Sequence, residues 1–217
     1  MEVERHRELM TAAIARERIA HLAATAGDPD AARTAFTEAA ATYRASWEEA
    51  SPTSFGRLVG MQKAAILGGG GIDEAGYVEQ TLAGAEAKSP TAAYAQAIAA
   101  LALGDDRRAG EWAELMRGAS PAFARTATAI AALAGAEPAA YRTAVEAIVE
   151  DFAARDAHLT GVPIADTALM LEVLAGPRGL QVGLDGPLLP ALHPSDDFPP
   201  AAPEATADLP RPAPDAT

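Results

Sequence analysis

Apolar residues recur at helical spacing along most of this chain. Over residues 2–26 the apolar positions are Val3, Leu9, Met10, Ala13, Ile14, Ile19 and Leu22, with mixed charges between them. That pattern predicts a helix with one solvated face. Gly27 ends it, as glycine does where the chain must turn left-handed after a last helical turn. Asp28-Pro29 opens the next helix. An Asp carboxylate can accept from free backbone N–H groups, and proline fits the first helical position because its missing N–H would be unpaired there. Ser51-Pro52, Ser89-Pro90, Ser120-Pro121 and Glu137-Pro138 repeat the device, and Asp73 after Gly68–Gly71 reads as a further cap.

The reading predicts helices over 2–26, 29–50, 52–67, 73–88, 90–103, 105–117, 121–134, 138–157 and 163–175. The connections are short, so neighbouring helices should pack as antiparallel hairpins. In the last helix Ile164, Ala168, Leu171, Leu174 and Ala175 share a face, and Gly176-Pro177 stops it. Leu180–Leu184 then reads as a short strand or extended segment, and Leu188-Leu189 should fold back to plug the end of the stack. The Ser-Pro starts at 51, 89 and 120 lie 38 and 31 residues apart, unequal for a true repeat. Ala32, Phe36 and Ala39 resemble the second half of a tetratricopeptide repeat. The expected fold is therefore all-α: helical hairpins stacked in a tetratricopeptide-like manner over 1–193. A tail over 194–217, rich in proline, alanine and acids, should be disordered.

Composition agrees with this. The chain is alanine-rich, 5% aromatic and almost free of β-branched runs, and alanine loses no side-chain entropy in a helix. There is no cysteine, which excludes disulfides and thiolate metal sites. The charged start MEVERHRELM carries no secretory pattern and no apolar run reaches a membrane span, so a cytoplasmic protein is expected. The net charge of −13 opposes binding to nucleic acid or anionic membrane and favours a basic protein partner. The same acidity also keeps an alanine-rich chain soluble.

Candidate chemistry is sparse. Gly68–Gly71 lacks the preceding strand and the Gly-Lys-Ser/Thr ending of a phosphate loop, and reads as a connector. His6, His21, His158 and His193 do not pair with one another at metal-binding spacing. Glu150 and His158 would share a face if the helix ran through 157, beside Asp151 and Asp156. Glu146, Glu150, Asp151 and Arg155 read as a solvated charged face. No catalytic residue, cofactor site or metal site is expected. Trp47 and Trp112 are each followed by acids. With Glu48, Glu49, Asp105 and Asp106 they form the candidate protein-binding set, although a tryptophan at a helix end also serves as a core cap.

Tyr141 and the stretch PIADTALMLEVLAGPRGLQVGLDGPLLP are similar to the C-terminal part of the immunity protein 49 family. The resemblance covers about a quarter of the chain. The family's helix end, aromatic and lysine-containing, is replaced here by Ala153-Ala154-Arg155-Asp156. The resemblance implies a bacterial, mostly helical protein that binds and neutralises a partner toxin, and it carries over no site residue. The expected function is thus non-enzymatic protein binding, with an acidic surface covering a basic toxin. The alternatives are a helical-repeat scaffold or regulator that binds a peptide, and an enzyme of unrecognised type. A buried cluster of histidine and carboxylates would speak for the enzyme.

Overall fold

The computed structural model describes residues 2–84, 89–192 and 198–199. Nine α-helices are present among them: α1 (Glu2–Thr25), α2 (Pro29–Glu48), α3 (Gly56–Leu67), α4 (Ile72–Thr81), α5 (Pro90–Ala102), α6 (Asp106–Met116), α7 (Pro121–Ala134), α8 (Pro138–Ala153) and α9 (Asp166–Ala175). The fold is all-α, and most consecutive helices pack on each other as stacked hairpins. Pro29, Pro90, Pro121 and Pro138 each open a helix as the sequence suggests. Side chains of Asp28, Asp105 and Ser120 accept from N–H groups of α2, α6 and α7.

Several boundaries differ from expectation, each for a local reason. Pro52 does not open α3; residues 51–54 form a turn, with Ser54 N–H donating to Ser51 O, and the helix starts at Gly56. Gly71, left-handed at φ +119°, precedes α4, so Asp73 lies in the first turn and is not its cap. α4 ends at Thr81; residues 85–88 of the expected helix lie outside the described residues. α8 ends at Ala153 and α9 begins at Asp166. The segment between them is irregular, and Ala165 N–H donates to Leu188 O.

The expected strand at 180–184 is not a strand. It is an extended segment whose Val182 and Gly183 N–H groups donate to the Glu172 carboxylate rather than to a neighbouring strand. Leu188 and Leu189 do pack back onto the core. The tail expected over 194–217 lies mostly outside the described residues. Phe198 within it, however, is buried among core side chains next to Gly71, so an apolar anchor lies beyond Pro194.

α5 is the centre of the molecule. Every residue from Ala92 to Ala102 is buried, as expected of a helix that is apolar on all sides. α3, α4, α6, α7 and α9 contact it directly or through one another. The far end is closed by Arg178, whose guanidinium is nearly fully buried. It holds Asp106 at 2.5 Å and donates to Leu101 O and Leu174 O, two carbonyls at the ends of α5 and α9.

Candidate binding site

The first helix is turned against its own pattern. Its inward face carries Ala13, Glu17, Ala20, His21 and Ala24, so two polar residues point into the protein. Ile19 and Leu22, expected to face the core, are about half exposed. Burying a carboxyl and an imidazole while exposing two aliphatic chains is unfavourable on both counts, unless the inward groups are bonded and the outward ones are covered by something else.

Inside, Glu17 and His21 reach a cavity of about 250 Å³ between α1, α3, α5, α7, α8, the 154–165 segment and α9. Lys63 from α3 bonds Asp166 Oδ2 at 2.5 Å and Thr167 Oγ1 at 3.2 Å. Tyr43 donates a 2.6 Å bond to Glu17 Oε2. Gly60 makes room for that phenol, since a Cβ there would stand 2.8 Å from Tyr43 Cε1. His21 Nδ1 lies 2.9 Å from Thr160 Oγ1, while Arg18 donates to Thr160 O, so α1 holds the loop at two points.

Burial divides the cavity into a floor and a mouth. The floor is Glu17, His21, Tyr94, and the Lys63–Asp166 pair. The mouth has Leu159, 71% exposed, and the partly exposed Arg125 and Arg155, which share the one carboxylate of Asp151. Phe123, Ile148, Phe152, Val162 and Ile164 form apolar walls. Three of the four buried side-chain atoms without a hydrogen-bond partner among the described residues belong to this lining: His21 Nε2, Tyr94 Oη and His158 Nδ1. The Thr167 hydroxyl stands beside Tyr94 Oη and works against the upward push of burial on the phenol, but the two make no hydrogen bond of good geometry.

The charges at the floor are set by burial and by the ion pair. Burial pushes the Glu17 carboxyl up, against the pull of Lys63 and the Tyr43 bond. Burial also pushes His21 down to about 4, so its imidazole is neutral at pH 7. Burial alone would lower Lys63 and raise Asp166, but their mutual attraction outweighs it. Lys63 sits above its ordinary range and Asp166 below. Both stay ionised, in the paired form that makes a buried charge tolerable.

Glu17, His21 and Asp166 are also the residues that could hold a metal, with their ligand atoms all within 4.8 Å of one another. Glu17 and His21 stand four apart on one helix, a spacing that suits chelation. The Lys63 ammonium, however, already sits against Asp166. A dication would meet that fixed charge at close range in a poorly screened interior. The donor set therefore fits a metal poorly, and Lys63 supplies the cation the carboxylates need.

The protein-binding set picked out in the sequence lies elsewhere, while Asp151 and Arg155, expected on a solvated face, line the mouth of this cavity. Trp47 is buried and stacks on Phe55, while Trp112 packs partly buried on the core. Glu48 pairs with Arg44, and Glu49 pairs with Arg5. Asp105 caps α6, and Asp106 holds Arg178. His158 does not share a helical face with Glu150, because α8 stops at Ala153; it packs on the Phe152 ring and lines the cavity instead. Sequence reasoning missed Glu17, His21, Lys63, Tyr94 and Asp166. The Glu17–His21 spacing of four residues is the one part of this set that stands in the sequence itself, where only His158 is weighed against nearby carboxylates.

Fold and site together define an all-helical stack with a polar cavity built beneath its first helix. No family model matches the chain, and neither a curated protein nor a solved structure does.

Proposed function

We propose that this is a non-enzymatic protein-binding molecule of the immunity type, which neutralises a basic toxin by covering it. The observation that carries the reading is the outward face of α1. Three of the four exposed large hydrophobics among the described residues, Ile19, Leu22 and Leu159, lie on α1 and on the loop that Arg18 and His21 tether to it. Ile19 and Leu22, three apart, share a helical face, and Leu22 is one turn beyond Arg18. Aliphatic side chains that a partner would bury suit a docking centre. The charge of −13 would draw a basic partner toward it over the screening length of about 10 Å at 0.1 M salt. The resemblance of residues 163–190 to the immunity protein 49 family points the same way.

The test is co-expression with the proteins encoded beside it. One basic partner should slow growth when expressed alone and be silenced by this chain. Leu22→Asp and Leu159→Asp should abolish the protection while changing the melting temperature little, because Leu159 is mostly and Leu22 about half in water. Protection that survives both substitutions would remove this face from the reading. If no neighbour is toxic and silenced, the immunity role itself fails.

A second reading, an enzyme, is favoured by one observation: the buried Glu17–His21–Asp166 cluster. Against it, each acid already has a structural partner: Tyr43 for Glu17 and Lys63 for Asp166. The one hydroxyl beside His21, that of Thr160, is buried and is also bonded to the Val162 backbone of its own loop.

A further inference from the structure

We propose that the cavity beneath α1 is a binding site for a small organic carboxylate with an apolar body; it lies on the inward side of α1 and meets the outward face described above only at Leu159. The cavity is lined by buried polar groups, by apolar side chains and, among its more exposed residues, by two arginines. At the mouth Arg125 and Arg155 share one partner, Asp151, so two guanidiniums face a single carboxylate. One positive charge is left uncompensated there, in a chain whose net charge is −13. Guanidinium groups bind carboxylates through paired N–H donors. Arg155 also lies 3.7 Å over the Phe152 ring, which fixes the plane of its fork. His158 Nδ1, without a partner, stands among them.

The walls then select an apolar body. Phe123, Ile148, Phe152, Val162 and Ile164 surround the space between mouth and floor. A volume of about 250 Å³ falls below the range of roughly 300–1,000 Å³ typical of drug-sized ligands, so the occupant is smaller than those. At the floor His21 is 2% exposed and Tyr94 is 8% exposed, and each keeps a polar atom with no protein partner. Leaving such atoms unbonded in the interior is costly, so a group that bonds them gains specificity as well as affinity. A hydroxyl or carbonyl at the far end of the ligand would satisfy both. Of the two floor carboxyls, Asp166 is neutralised by Lys63, and Glu17 accepts from Tyr43 while burial raises its pKa.

The experiment titrates the full-length protein with 4-hydroxyphenylacetate, and with the matched neutral amide as control. The readouts are the imidazole ¹⁵N signals of His21 and His158 and the methyl signals of Ile148, Val162 and Ile164. The carboxylate should produce saturable shifts at all five residues, with the amide at least tenfold weaker. Arg125→Gln and Arg155→Gln should each weaken the carboxylate about tenfold and leave the amide unchanged. Both arginines are partly exposed and each leaves Asp151 one remaining partner, so neither substitution strands a buried charge. Tyr94→Phe removes a hydroxyl that makes no hydrogen bond of good geometry in the protein. It should keep the fold and weaken 4-hydroxyphenylacetate more than phenylacetate. The proposal is overturned by equal binding of acid and amide, by shifts that never saturate, or by Zn²⁺ alone moving His21 while the carboxylate does not.

Discussion

Tyr43 and Glu17 meet at 2.6 Å with both side chains buried, the phenol donating from α2 to a carboxyl on α1. The contact explains how a carboxyl can occupy the inward face of the first helix. It is possible because Gly60 on α3 leaves the ring the space it needs.

Tyr43→Phe keeps the ring and removes the donor. Glu17 then loses its one hydroxyl partner in the interior, and such a loss costs about 1–3 kcal/mol. Urea denaturation should show that loss without a change in m-value. Gly60→Ala should destabilise by a comparable amount, because the added methyl displaces the same phenol. If Tyr43→Phe is neutral, the bond does not support the inward turn of α1.

His21 and Glu17 affect the pH dependence in opposite directions. His21 titrates at 6.5 when unfolded and at about 4 when folded. Its contribution is fully present above pH 6.5 and is lost as pH falls from 6.5 toward 4, by about 3 kcal/mol at one pK unit per 1.36 kcal/mol. Glu17 is raised above 4.5, so its contribution is fully present below that value and is lost as pH rises through its folded pKa. Stability measured from pH 7 to pH 4 should fall in the wild type. In His21→Gln the fall should be smaller, and in Glu17→Gln it should be steeper. Parallel curves for all three would contradict these assignments.

Much of the architecture was legible because it depends on local chemistry. Proline at the first helical position and side-chain caps at Asp28, Asp105 and Ser120 act over three residues, and alanine favours helix wherever it stands. The site was mostly illegible because its parts are far apart in the chain. Lys63 and Asp166 are 103 residues apart and meet only when α9 returns to α3. Ile19 and Leu22 looked like core residues because apolar periodicity does not say which face a helix buries when polar groups find partners inside. The end of α8 was placed too late because nothing in Ala153-Ala154-Arg155-Asp156 is a helix breaker. The chain instead departs to let Thr160 reach His21.

Phe198 should act as an anchor. It is 5% exposed and belongs to the core beside Ile66 and Gly71. Phe198→Ala should lower stability by about 3 kcal/mol, the low end for a buried phenylalanine. Deleting 194–217 should cost the same amount and no more. A deletion without effect would show that the aromatic ring adds nothing.

Arg178→Lys should be nearly as harmful as Arg178→Met. The guanidinium bonds one carboxylate and two carbonyls at once, and an ammonium cannot reproduce that fork. Removing one partner of a buried pair costs about 3–5 kcal/mol. Thermal melts of the two variants and of Asp106→Asn would check this; a lysine variant that melts like the wild type would contradict it.

The site under α1 depends on a neutral imidazole, bonded through one nitrogen to Thr160 and with the other facing the cavity. The ¹⁵N and ¹³C signals of His21, followed from pH 8 to pH 3.5, test this directly. A single titration near 4, with the two ring nitrogens held in one neutral tautomer through neutral pH, is the expected result. Thr160→Val should blur that tautomer preference. Titration near 6.5 with rapid tautomer averaging would mean that His21 is in water, and the cavity would then not be a built site.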